Sequence, residues 1–261
     1  MGWRDDTWGD RTLRRKVRLR DEAIPVDGGR LFPLYHATAW SREVLAEGFR
    51  LDRKKGGLGG SSTSYAVSFT QDLDFACTIA LCLVDAAGIA RGRITALNVL
   101  NRAYVEGGDV LLNKTLYWTS IEAGAWLTRE IRSLAGARDV DGLERLLSGL
   151  SGDAARDAAW GVYKTYLRAR CDLELDYDPG FFGTHWRAFV DVDAQNVGVL
   201  VCVARDVVWV RDNWRCRDTP GGFTYSGWGR PPFFPDQDEY RVCDVSKIDV
   251  LGLVPRERCG L

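Results

Sequence analysis

Two residues in this chain could do chemistry by type and place. His36 closes a short apolar run, Leu34-Tyr35-His36-Ala37-Thr38, and Glu239 opens another in Gln237-Asp238-Glu239-Tyr240-Arg241-Val242. Histidine is scarce, since only His36 and His185 occur. A fixed carboxylate stabilises positive charge that builds on a sugar carbon as a bond breaks, the electrostatic logic of glycosidases. Where the leaving group is already cationic it departs neutral, and no general acid is needed. One carboxylate and one anchoring hydrogen bond then suffice, and Glu239 and His36 are the candidates.

Other chemistries find less support. The seven cysteines, at 77, 82, 171, 202, 216, 243 and 259, form no CxxC pair. That argues against a zinc ribbon and against a disulfide framework, and it suggests a reducing compartment. A thiol hydrolase would need His36 or His185 as its base, and no cysteine sits in a helix-start loop.

Elements must bring such residues together. Leu31 to His36 reads as a short strand, followed by a helix with Ser41 as N-cap, Gly48 as its stop, and Trp40, Val44, Leu45 and Phe49 at helical spacing. Ala66 to Phe69 reads as a strand. Thr70 then caps a helix with Asp72 and Asp74 in its first turn, burying Leu73, Cys77, Ala80, Leu81 and Val84. Ile94 to Leu100 reads as a strand. Residues 113–172 change to helical periodicity in Trp126, Leu127, Ile131, Leu143, Leu146, Leu147, Trp160, Tyr163 and Leu167. Gly136 and Gly149 to Gly152 should divide this stretch into three helices. Strands are expected again at Trp186 to Val192, Val197 to Val203 and Val207 to Val210, the last two joined tightly through Ala204-Arg205-Asp206. Residues 217–238, rich in Gly, Pro and aromatics, read as a long loop, and strands at Tyr240 to Val242 and Ile248 to Val254 close the chain. The fold class is α+β.

Strand–His–Thr–helix, then strand–helix, then loop–Glu–strand is an order that resembles the diphtheria-toxin-like ADP-ribosyltransferases, the class of the poly(ADP-ribose) polymerases. The resemblance covers the strands of residues 31–110 and 185–255. It implies a split β-sheet core with a helical insertion at about 113–172, in a catalytic domain spanning 31–261 behind a basic arm at 1–30. It also implies NAD as co-substrate and no metal. His36 would bond the ribose on the nicotinamide side, Ala37 would pair with the carboxamide through its backbone, and Thr38 would hold the adenosine side or support its loop. Ser68, Phe69 and Thr70 would line the nicotinamide pocket, and Glu239 would bond the ribose 2′-hydroxyl and stabilise the oxocarbenium ion. Ala37 stands where the family has Gly, and Ser68 where it has Tyr. Stacking on nicotinamide then falls to Tyr65, Phe69 or Phe75, and transfer of a single ADP-ribose is expected rather than polymer formation.

The acceptor is sought near Glu239. Gln237-x-Glu239 resembles the arrangement of Rho-modifying clostridial toxins and pierisin-like DNA-modifying enzymes, and Ser61-Ser62-Thr63-Ser64 resembles their Ser-Thr-Ser. Tyr225, Trp228 and Arg230, with Phe223, Phe233, Phe234, Arg215 and Arg217, mix aromatic and basic groups that suit a nucleobase with its phosphate or a protein surface. Two basic clusters, Arg11 to Arg20 and Arg50 to Lys55, could meet phosphates, but the formal net charge is only −1. Hydrophobic residues at 46% and charged ones at 27% indicate a globular chain able to bury a core, and most of its ten Trp are expected there. The N-terminus is charged from Arg4 with no apolar signal region, and no run of about 18 uncharged apolar residues occurs. A cytoplasmic protein is expected, a toxin or phage-defence effector by analogy, with an antitoxin as partner and no membrane. Hydrolysis of NAD, and a non-catalytic nucleic-acid-binding module, are the alternatives.

Overall fold

The computed structural model describes residues 24–26, 29–31, 33–51, 66–121, 129–172, 186–205, 210–211, 223–227 and 238–261. They fall into two compact units, one formed by the residues before Asp85 and from Val192 on, the other by Asp85–Asp191. The fold is mixed α+β.

The first unit is built from short strands. A hairpin, β1 (Ile24–Val26) and β2 (Gly29–Leu31), stands where the basic arm was expected to lead in as an arm or short helix. Then come β3 (Leu34–Thr38), α1 (Ser41–Glu47), β4 (Val67–Phe69) and the start of α2 (Leu73–Ala90). After the second unit the chain returns with β5 (Gly198–Ala204), β6 (Val210–Arg211), β7 (Phe223–Gly227), β8 (Asp238–Val242) and β9 (Ile248–Leu253). Three strands form one sheet in the order β3-β5-β9, and four form another in the order β4-β8-β7-β6. The sheets meet at one isolated bridge: Tyr35 N–H donates to the Thr70 carbonyl at 2.7 Å, and Thr70 N–H to the Tyr35 carbonyl at 3.0 Å.

Around that bridge Leu34, Val67, Phe69, Leu200, Cys202, Val242 and Ile248 form a buried cluster, covered by Val44, Phe49, Leu51 and Tyr240. Each large member stabilises the unit by about 1.5–3 kcal/mol through its removal from water. Helix α2 hides small residues on most of its faces, among them Ala76, Cys77, Ala80, Cys82, Ala86 and Ala87, whereas Leu81 and Val84, expected inside, are half-buried. Among the described residues it is the one helix long and apolar enough to cross a membrane, and 56% of that window is buried within the fold.

The second unit is helical: the end of α2, then α3 (Ala96–Ile121), α4 (Arg129–Ala137), α5 (Val140–Ser148), α6 (Gly152–Asp172) and a 3₁₀ turn at Trp186–Phe189. It begins well before residue 113. Ile94–Leu100, expected as a strand, leads into α3 because Thr95 and Asn98 cap one another: Asn98 Oδ1 accepts from the Thr95 backbone at 2.9 Å, and Thr95 Oγ1 accepts from the Asn98 backbone at 3.2 Å. Helix α3 is broken at Gly108, whose φ of 56° and ψ of −152° are not helical. The preceding Gly107 is constrained by space instead, since a Cβ there would lie 2.2 Å from Leu111 Cβ. Gly136 lies inside α4, which stops instead before Arg138, a non-glycine residue at φ 58°.

Other expectations change too. Trp186 to Val192 is not a strand. Trp186 turns inward, donates from Nε1 to Asp157 Oδ1 at 2.6 Å, and lies under the Arg187 guanidinium at 4.5 Å. β5 and β6 belong to different sheets, so no tight hairpin joins them, and the 217–238 segment contains β7. Ser41 is the first helical residue rather than the N-cap of α1, and Asp72 rather than Thr70 caps α2, accepting from Phe75 N–H at 3.0 Å.

The expectation against disulfides is corrected. Cys77 on α2 and Cys259, in a 3₁₀ turn at Arg256–Cys259, form a disulfide with their Cα atoms 4.7 Å apart, and Cys243 is also disulfide-bonded. The two partners lie 182 residues apart, beyond the reach of any spacing motif. Cys82 and Cys202 are both buried.

Candidate active site

β3 carries His36, one of the two residues on which the chemistry rests, together with Ala37 and Thr38, and its pairing fixes them. His36 lies opposite Leu200, Ala37 opposite Val199 and Thr38 opposite Gly198. His36 is half-buried, and its Nδ1 is 2.8 Å from the Ser68 carbonyl of β4. A carbonyl only accepts, so Nδ1 carries a proton and donates, and in the neutral ring Nε2 is left as an acceptor. The His36 ring also meets Phe49 edge-on at 5.2 Å and Phe69 at 5.5 Å, while Phe49 and Phe69 meet at 5.3 Å. The Phe49 and Phe69 rings and the bond to Ser68 help to orient the imidazole.

The residues around it divide into support and core. Thr38 is buried, and its Oγ1 accepts from Trp40 N–H at 3.2 Å, bracing the turn into α1. Thr70 Oγ1 accepts from Asp72 N–H at 3.1 Å while its backbone bridges Tyr35. Phe69 is only 2% exposed, and its ring is spent on Phe49, His36 and the core. Ser68 is half-buried and takes part through its backbone carbonyl.

Glu239 lies within β8, described by its backbone. It pairs with Ser226 of β7, and its neighbour Tyr240 pairs with Phe69. Glu239 is therefore one residue along the strand from the partner of Phe69, in the strand that borders β4. The Tyr240 hydroxyl donates to Gln71 Oε1 at 2.9 Å and ties β8 to the segment that follows β4. Arg241, opposite Ser68, is 1% exposed. Tyr225 stands opposite Tyr240 in the backbone register. Tyr65, Trp228, Arg230 and Gln237, with His185 and residues 61–64, lie outside the described residues.

Phe49 is the member of the site that sequence reasoning placed only on a helix face. Its cue was Gly48, whose φ of 76° turns the chain back toward β3. The remaining candidates for other chemistry recede. Burial pushes the Cys202 thiol up to about 12, which removes the thiolate a nucleophile needs. Among the described residues no group of three or more His, Cys, Asp or Glu could hold a metal ion. No protein-family model matches the chain, and neither does any curated protein or solved structure.

Proposed function

We propose that this chain is an NAD-consuming mono-ADP-ribosyltransferase that cleaves the nicotinamide–ribose bond and passes ADP-ribose to a nucleic acid or protein. One observation carries the reading: three segments far apart in sequence converge, with His36 bonded to the Ser68 carbonyl and β4 paired with the strand that holds Glu239. In this reading His36 hydrogen-bonds the ribose on the nicotinamide side, and Glu239 stabilises the charge that develops on the ribose as neutral nicotinamide leaves. Ala37 keeps an ordinary strand pairing and offers its backbone to the carboxamide. The stacking surface falls to Tyr65 or Phe75, because the Phe69 ring is already packed. Of the compartments, the cytoplasm is proposed only for synthesis.

The test is nicotinamide release from NAD by the purified full chain and by Glu239→Gln, with RNA, DNA and cell extract as acceptors. Release that falls about 10²–10³-fold on substitution, with the melting temperature unchanged, is the expected result. Labelled macromolecule identifies the acceptor, and release without label makes the enzyme a hydrolase. No release under any of these conditions overturns the reading in favour of a binding module.

A further inference from the structure

The Cys77–Cys259 disulfide stands at one end of a line of hydrogen bonds and packing contacts that reaches His36 through Phe49. In the same turn as Cys259, Arg256 Nη1 donates to the Val197 carbonyl at 2.6 Å and the Gln195 carbonyl at 3.2 Å, and Nη2 donates to the Ala194 carbonyl at 3.2 Å. One guanidinium thus gathers the 3₁₀ turn at Ala194–Asn196. Asn196, buried within that turn, holds the start of α1. Its Oδ1 accepts from Arg42 N–H at 2.9 Å, its carbonyl accepts from Ser41 Oγ at 2.7 Å, and its Nδ2 donates to Glu43 Oε2 at 2.7 Å. Trp40, the N-cap of α1, makes no side-chain cap bond. The cap comes instead from a residue 154 positions away. From α1 the chain turns at Gly48 and lays Phe49 against the His36 ring.

We propose that Cys77–Cys259 is a redox clasp on this line. Oxidised, it fixes the 256–259 turn to α2, and through Arg256 and Asn196 it holds α1 and Phe49 against His36. A small dithiol reductant opens it. One of its thiolates attacks a protein sulfur, the other protein sulfur leaves as thiolate, and the second thiol of the reductant resolves the mixed disulfide. The protein gains two electrons and two protons as two thiols, and the reductant becomes a cyclic disulfide. Both sulfurs are buried, Cys77 at 7% and Cys259 at 4% exposure, so attack follows local opening of the turn, where Glu257 and Arg258 are already exposed. The full site then belongs to an oxidising environment, opposite to the compartment the cysteine spacing suggested.

The activity part of this proposal rests on the transferase reading, whereas the structural part does not. The experiment is hydrogen exchange on the full chain before and after dithiothreitol, with alkylation and peptide mass mapping to report Cys77, Cys259 and Cys243 separately. Peptides covering 41–51 and 194–197 are expected to exchange about tenfold faster once Cys77 and Cys259 are reduced. Arg256→Ala, with the disulfide intact, should loosen the same peptides. Cys77→Ser should do so without reductant, and if that variant does not fold, reversible reduction of the native chain still decides. Unchanged exchange over 41–51 with both thiols shown to be free overturns the clasp, as does alkylation of both cysteines in the unreduced chain. Faster exchange with no nicotinamide release in either state would uphold the clasp and remove the transferase. Release that falls on reduction in step with the exchange would uphold both.

Discussion

Buried polar groups behave differently in the two units. In the sheet unit they hand their hydrogen bonds outward along a line, from Arg256 to Asn196 to α1, and from Ser68 to His36. In the helical unit they close on one another. Glu106 Oε2 accepts from the Tyr166 hydroxyl and, at 3.0 Å, from Arg170 Nη1, and Thr119 meets Thr165 at 2.7 Å. Arg170 is 3% and Glu106 is 8% exposed, so this ion pair is a desolvated one. Glu106 sits two residues before Gly108, where α3 breaks. Side-chain pairing of this kind fixes packing, whereas an open line transmits position to a side chain that can act.

The largest expected effect would break that comparison from the helical side. Glu106→Ala removes the carboxylate that answers a buried guanidinium and should cost about 3–5 kcal/mol in urea denaturation. Nicotinamide release per folded molecule should not change. A stability loss below 1 kcal/mol, roughly the ceiling for an exposed pair, would show that the cluster is hydrated rather than closed.

A smaller effect belongs to the sheet unit. Asn196→Ala takes away the side-chain bonds to Arg42 and Glu43 and leaves the Ser41 hydroxyl on the main-chain carbonyl, and should cost about 1–3 kcal/mol, the worth of a remote helix cap and its neighbour. Unlike Glu106→Ala, it should also lower the affinity for NAD, because α1 carries Phe49 toward His36. Weaker binding with Glu106→Ala and none with Asn196→Ala would reverse the roles assigned to the two units.

Much of the sheet unit was legible because its signals are local. The apolar run ending at His36, Gly48 after a helical stretch, and the strand entering α2 each announce themselves within about ten residues. What escaped is long-range. Cys77 and Cys259 look like two isolated small hydrophobes until the fold sets their Cα atoms 4.7 Å apart. The cap of α1 comes from Asn196, so Ser41 looked like the cap and is not. At Ile94 to Leu100 the apolar pattern suits strand and helix equally, and the Thr95–Asn98 reciprocal cap was the overlooked cue. Glu239 was singled out by its place before a strand, and it lies within β8. Its nearness in register to Phe69 was not, because that depends on β8 choosing β4 as a neighbour.

The finest discrimination between the units is their response to alkali. Burial pushes the Cys202 thiol of the sheet unit from 9.0 to about 12. Burial first, and then the Glu106 carboxylate, push the Tyr166 phenol of the helical unit well above 10.0. Both groups keep their protons longer folded than unfolded. The stability tied to each is therefore fully present below the unfolded value and lost as pH rises toward the folded one. For Cys202 that loss should begin near pH 9 and continue to about 12. Denaturation midpoints measured across this range should fall less steeply for Cys202→Ala than for the native chain. Tyr166→Phe should flatten only the part above pH 10, starting from lower stability because Glu106 loses a donor. Parallel slopes for Cys202→Ala and the native chain would mean that the thiol is solvated and that the strand β5 is not the dry centre of its sheet. A flattening in Cys202→Ala alone would assign the alkaline loss to the sheet unit, the one in which position is passed on to His36.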